Sequence, residues 1–146
     1  MIIVRGCAFP ADRHYHVQHN LWVAMQETGI ATLGATSWGV AQAVEFIAFI
    51  PKPAGMHIEG DRALGLLEIA KTVSSVRAPG ACEIVASNKS AVSDPSIINR
   101  DPYGDGWLLQ LRFDDWEGVM SGLVTGDDIA QAYEEAMRLD GFEGIG

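Results

Sequence analysis

The segment Leu66-Leu67-Glu68-Ile69-Ala70-Lys71-Thr72-Val73-Ser74-Ser75-Val76-Arg77-Ala78-Pro79 limits the possible folds more than any other part of the chain. Strand-like runs flank Lys71, and Gly65 before them and Pro79-Gly80 after them mark their ends, so the segment reads as a β-hairpin with Lys71 at its tip. Only three lysines occur, Lys52, Lys71 and Lys89. A long, unbranched amine held on a hairpin tip can carry a covalently attached group as an arm. The plain alternative is a solvated turn lysine.

Around this hairpin the pattern is mostly β. Residues 21–25 and 30–36 read as strands of a hairpin across Glu27-Thr28-Gly29, residues 37–43 as one short helix, and residues 45–50 as a strand closed by Pro51 and Pro53. A further strand leads to Asn88. Asp94-Pro95 is a helix start, with Asp94 able to accept an amide hydrogen bond and Pro95 in the first helical position. That helix runs for about two turns before Asp101-Pro102 stops it. Gly104 and Gly106 then supply a turn into a strand over 107–113, whose alternation puts Trp107, Leu109, Leu111 and Phe113 on one buried face. Residues 127–139 form the longest helix, with Thr125 as a candidate N-cap and Ile129, Ala132, Tyr133, Ala136 and Met137 on one face.

At 146 residues and 48% hydrophobic, the chain can bury one core and reads as a single domain. No apolar run is long enough to cross a bilayer, and the N-terminus lacks the pattern of a signal peptide, which leads to an expectation of a cytoplasmic protein. The net charge of -9 sits almost wholly in the last part. From Asp114 onward nine acids face the single Arg138, whereas nine basic and ten acidic residues nearly balance before it. A basic patch for nucleic acid is therefore missing; the acidic tail suits a basic protein partner or plain solubility. We find no nucleophile–base pair and no phosphate loop, which argues against a direct enzyme.

The matched residues go further. Glu68 three before Lys71, Pro79 eight after it, Asn88 at the end of the next strand, and the run Asp101-Pro102-Tyr103-Gly104-Asp105-Gly106-Trp107 resemble the glycine-cleavage H protein family of lipoyl carriers. Gly55 and Gly65 fall at that family's upstream glycines, so the resemblance is collinear from residue 55 to residue 113. It implies a flattened β-sandwich, a barrel-sandwich hybrid of the biotinyl/lipoyl type, with short helices and a C-terminal helix. Residues 1–54 would supply the N-terminal strands and short helix, 55–113 the lipoyl hairpin core, and 114–146 the acidic helical tail. It also implies lipoic acid in amide linkage to Lys71, with Glu68 helping recognition of the hairpin tip. The implied role is a non-enzymatic carrier. Biotin carriers resemble one another through methionines on both sides of the lysine, and here Ala70 and Thr72 stand there. Lipoyl domains of the oxo-acid dehydrogenases usually carry Asp-Lys-Ala and lack the Asp101 to Trp107 run.

The N-terminal part departs from an ordinary H protein. Tyr15-His16-Val17-Gln18-His19-Asn20-Leu21-Trp22 stands where Tyr and then His-Glu-Trp are usual, with one extra residue and no glutamate. In this and in Arg5-Gly6-Cys7-Ala8-Phe9-Pro10 the chain is similar to the H-protein-like lipoate-binding proteins of sulfur oxidation. That branch implies sulfur intermediates on the arm and a heterodisulfide-reductase-like complex as partner; the alternative is methylamine transfer among the glycine-cleavage P, T and L proteins. Either implies a lipoate-protein ligase or lipoyl assembly enzymes, and dihydrolipoamide dehydrogenase. The altered tip, Ile69-Ala70-Lys71-Thr72-Val73, leaves open a binding module that has lost its arm. Cys82 stands where the family usually has glycine; it and Cys7 read as buried residues, and His14, His16 and His19 as surface or satisfied histidines rather than a metal set.

Overall fold

A computed structural model of the chain describes residues 1–145. In chain order its elements are strands β1 (Ile2–Val4), β2 (Cys7–Phe9), β3 (His14–His16), β4 (Leu21–Met25) and β5 (Ala31–Ala35), then helix α1 (Ser37–Ala43). Next come β6 (Phe46–Pro51), β7 (His57–Ile58), β8 (Ala63–Ile69), β9 (Thr72–Arg77) and β10 (Cys82–Ser87). Helices α2 (Lys89–Ser93) and α3 (Ser96–Arg100), strand β11 (Leu109–Phe113), and helices α4 (Trp116–Ser121) and α5 (Asp128–Asp140) complete it. The order β3-β4-β5-β11-β10-β7 makes a six-stranded antiparallel sheet, β6-β8-β9 a three-stranded one, and β1-β2 a separate hairpin.

The two larger sheets share one core. Leu33 of β5, Leu64 of β8, Ile84 of β10, and Leu109 and Leu111 of β11 are fully buried in a single cluster. Removing each such side chain from water contributes about 1.5–3 kcal/mol. Strand β5 is buried along its whole length, and its composition explains how. A Cβ on Gly34 would lie 2.6 Å from the Trp22 indole, so only glycine lets that ring lie across the sheet.

A second cluster closes the chain on itself. Phe9 stacks on Tyr133 of α5 with centroids 4.1 Å apart, and Tyr15 meets both rings edge-on at 5.7 and 5.8 Å. Arg5 donates to Glu134 Oε1 from Nη2 at 2.7 Å and to the Phe142 carbonyl, which ties the β1–β2 turn to α5 and to the residues after it. The mainly β sandwich with short helices and a C-terminal helix is thus as the resemblance implies.

Several local expectations need correction. Gly65 does not mark a strand end; β8 begins at Ala63, and Gly65 pairs within it opposite Pro51. Its lack of a side chain serves a close approach, since a Cβ there would sit 2.7 Å from the Ile50 carbonyl oxygen. The helix expected after Asp94-Pro95 is α3, five residues long and ended at Asp101, and a further short helix, α2, precedes it with Asn88 as its N-cap. Asp94 sits at the junction, where its carboxylate accepts from the Ser96 hydroxyl and from Arg100. Trp107 lies before β11, half-buried against the second cluster, while Leu108, Leu109, Leu111 and Phe113 enter the first. Thr125 does not cap α5 with its side chain, since the helix begins after Asp127; its hydroxyl donates to the Arg13 carbonyl.

Candidate functional site

Lys71 stands at the tip of the β8–β9 hairpin as the sequence suggests. Ile69 and Thr72 form the last paired rung, leaving only Ala70 and Lys71 as the connection. Neither has a positive φ, so the turn accepts ordinary residues and needs no glycine. Below the tip, Leu67 and Val76 point into the core and are 7% and 2% exposed, which anchors the hairpin base. Alternation then sends Glu68 outward opposite Val73. Lys71 and Glu68 are both exposed, and neither makes an ion pair among the described residues. The Lys71 amine is therefore open to solvent, between the small neighbours Ala70 and Thr72. Lys52 and Lys89 lack such a setting: Lys52 is half-buried after β6, and Lys89 opens α2.

Strand β9 is the edge of its sheet, and a cleft of about 350 Å³ opens beside it. One wall is Leu67, Ile69, Ser74, Ser75 and Val76 from the hairpin; the other is Gln18 to Leu21, with Gly39, Gln42 and Ala43 from α1. Ile69, two residues from Lys71, joins the cleft to the tip. No lining residue is a carboxylate. On the far wall His19 Nε2 lies 2.8 Å from Asp61 Oδ1, and the His19 ring stacks flat on His16 with centroids 4.0 Å apart. Burial, and then the neighbouring His19, hold the His16 pKa below its usual value. The bond from His19 holds the Asp61 carboxyl below its own.

Asn88 and the Asp101 to Trp107 run brace the scaffold. Asn88 Nδ2 donates to the Asp105 and Trp107 carbonyls, and Asp101 Oδ2 accepts the Asp105 amide at 2.8 Å. A Cβ on Gly106 would meet the Ile97 carbonyl oxygen at 2.5 Å, which explains that glycine. Cys7 and Cys82 are free and fully buried; burial raises both thiols, Cys82 to about 12, so neither is a ready thiolate. Sequence reasoning did not pair His19 with Asp61. The two lie 42 positions apart, and the one available hint was the close spacing of His16 and His19.

The profile of the family described as "Glycine cleavage H-protein" matches residues 13–136. The chain is 34% identical to "Glycine cleavage system H protein 2" of Aquifex aeolicus over 131 residues, 90% of this chain and 81% of that one. It is 32% identical to H protein 5 of the same organism over 145 residues, 97% of each chain, and 35% identical to its H protein 3 over 108 residues, 74% and 67%. The crystal structure of a glycine cleavage system H protein from Mycobacterium marinum superimposes with a TM-score of 0.73 at 29% identity, over 84% of this chain and 97% of that one. A family match across most of the chain, on the same fold, places it: this protein belongs to the glycine cleavage H-protein family of lipoyl carriers, whose members hold lipoate covalently on a lysine.

Proposed function

We propose that Lys71 is the lipoylated residue, that residues 1–146 act as one carrier domain in the cytoplasm, and that the cargo is a sulfur intermediate passed to a heterodisulfide-reductase-like complex. The observation that carries the attachment site is the exposed, unpaired Lys71 on a two-residue tip. When bound, the lipoyl group supplies a dithiol/disulfide pair that takes up and releases electrons or a transferable group. The protein's own residues do the rest. Lys71 Nζ forms the amide and gives up its charge, Glu68 offers the ligase a carboxylate beside the tip, and the cleft along β9 shelters the end of the arm. A tether of this kind gives a local concentration on the order of millimolar at a docked partner.

The lining of the cleft supports this choice of cargo. A cationic aminomethyl load needs an acid, and the wall that ordinary H proteins furnish with glutamate has His19, Asn20 and Leu21 here, facing Ser74 and Ser75. Uncharged donors with one imidazole suit a neutral or anionic sulfur load better. The three numbered H proteins of Aquifex also fit a family with more carriers than one glycine-cleavage system uses. Intact mass and peptide mapping of the protein from its native host tests attachment: a lipoyl increment is expected on the Lys71 peptide and not on those with Lys52 or Lys89. An unmodified Lys71 in cells with a working ligase would instead point to an armless interaction module. For the cargo, the loaded protein is expected not to support glycine–bicarbonate exchange with a glycine-cleavage P protein; robust exchange would restore the methylamine reading.

A further inference from the structure

The cleft beside the lysine hairpin is lined by His19, and behind that ring, outside the lining, stands the carboxylate of Asp61. His19 is 12% exposed, with Nε2 2.8 Å from Asp61 Oδ1. Its orientation is fixed from two more sides. The ring lies within 7° of parallel to His16, and the His19 amide donates to His16 Nδ1 at 3.1 Å. Asp61 is one of four non-glycine residues with positive φ among the described residues, and Arg77 holds its carbonyl at 2.7 Å. With Nε2–H given to Asp61, the Nδ1 of a neutral His19 carries an open lone pair. A carboxylate bonded to an imidazole that lines a cleft is the arrangement that activates a nucleophile.

We infer that His19, oriented by Asp61, is the proton acceptor for an arm sulfur resting in this cleft. The S–H bond breaks, the proton goes to His19 Nδ1, and the electron pair stays on sulfur as a thiolate beside the new imidazolium; no electrons are exchanged. The charged groups around His19 support this direction. Asp61 offsets the imidazolium, Arg77 bonds to the Asp61 backbone, and burial holds the pKa of the half-buried His16 below its usual value. Gln18, Asn20, Ser74 and Ser75 in the same lining are uncharged. The inference rests on Lys71 as the attachment point.

The test uses the lipoylated protein, its arm verified by mass on the Lys71 peptide and then reduced. Alkylation by iodoacetamide is followed against pH and quantified on that peptide, so that Cys7 and Cys82 do not enter. The wild-type midpoint is expected about one pH unit below that of free dihydrolipoamide. His19→Gln and Asp61→Asn should both move it back, and the His19 ring resonances should shift on arm reduction in the wild type. Asp61 is 80% exposed, so its variant remains informative if His19→Gln folds poorly. A wild-type profile that overlays free dihydrolipoamide, or one unmoved by either substitution, overturns the role of His19 and leaves the carrier reading intact. A Lys71 peptide without the lipoyl mass defeats the attachment reading first and this inference with it.

Discussion

Asn88 Nδ2 lies 2.7 Å from the Asp105 carbonyl oxygen and 2.8 Å from that of Trp107, so one buried side chain ties the end of β10 to the loop that leads into β11. Its Oδ1 also accepts the Ser90 amide at 3.1 Å and caps α2. Asn88→Ala strips all three bonds and is expected to cost about 2–4 kcal/mol in urea unfolding. Asn88→Asp should be nearly as harmful, because a carboxylate cannot donate to the two carbonyls.

The Glu68 side chain is exposed and makes no ion pair among the described residues. Glu68→Ala should leave the urea midpoint unchanged while slowing lipoylation of Lys71 by a purified ligase about two- to fivefold, the scale of one exposed ion pair. An unchanged rate in a mass-based time course would remove Glu68 from tip recognition.

Gly106 permits a backbone crossing that no side chain can enter. Gly106→Ala brings a methyl within 2.5 Å of the Ile97 carbonyl and 2.6 Å of that of Asp101, so a loss of about 1–3 kcal/mol is expected on chemical denaturation.

His57 gives a pH dependence with a definite sign. Its pKa is raised, first by the bond to Asp114 at 2.7 Å. The pair therefore stabilises fully below the unfolded value of about 6.5 and loses its contribution as pH rises through the folded one. The gap in urea midpoint between wild type and His57→Gln should be wide near about pH 5.5 and narrow near about pH 8.5. His14 and His16, whose pKa values burial lowers, act in the opposite direction but are common to both proteins.

Tyr133 is fully buried and its hydroxyl has no hydrogen-bond partner among the described residues. Tyr133→Phe removes that cost and keeps the stack on Phe9, so a gain of about 1 kcal/mol is expected. A fall in stability would reveal an ordered water on the hydroxyl.

The sequence was most legible where local chemistry decides. The two-residue tip at Lys71, the helix Ser37–Ala43 and the apolar face of α5 all follow from period and punctuation. It was least legible where partners come from far away. Thr125 donates its hydroxyl to the Arg13 carbonyl, 112 positions away, which no local pattern announces. The strands β1, β2 and β3 are three residues each, too short for alternation to register; β2 and β3 gain their order from aromatic contacts with α5 more than 110 positions on, and β1 from Val4 in the same cluster. His19 and Asp61 meet for the same reason, through tertiary folding that no local pattern records.

The rung between Ile69 and Thr72 gives Lys71 a fixed post rather than a slack loop. Whatever is joined there sweeps a sphere whose radius is its own length and whose centre is the hairpin tip. A partner is then selected by distance as well as by shape. Reaction centres inside the radius can be visited in turn without either protein letting go, and one a few ångströms outside it receives nothing, however well its surface docks.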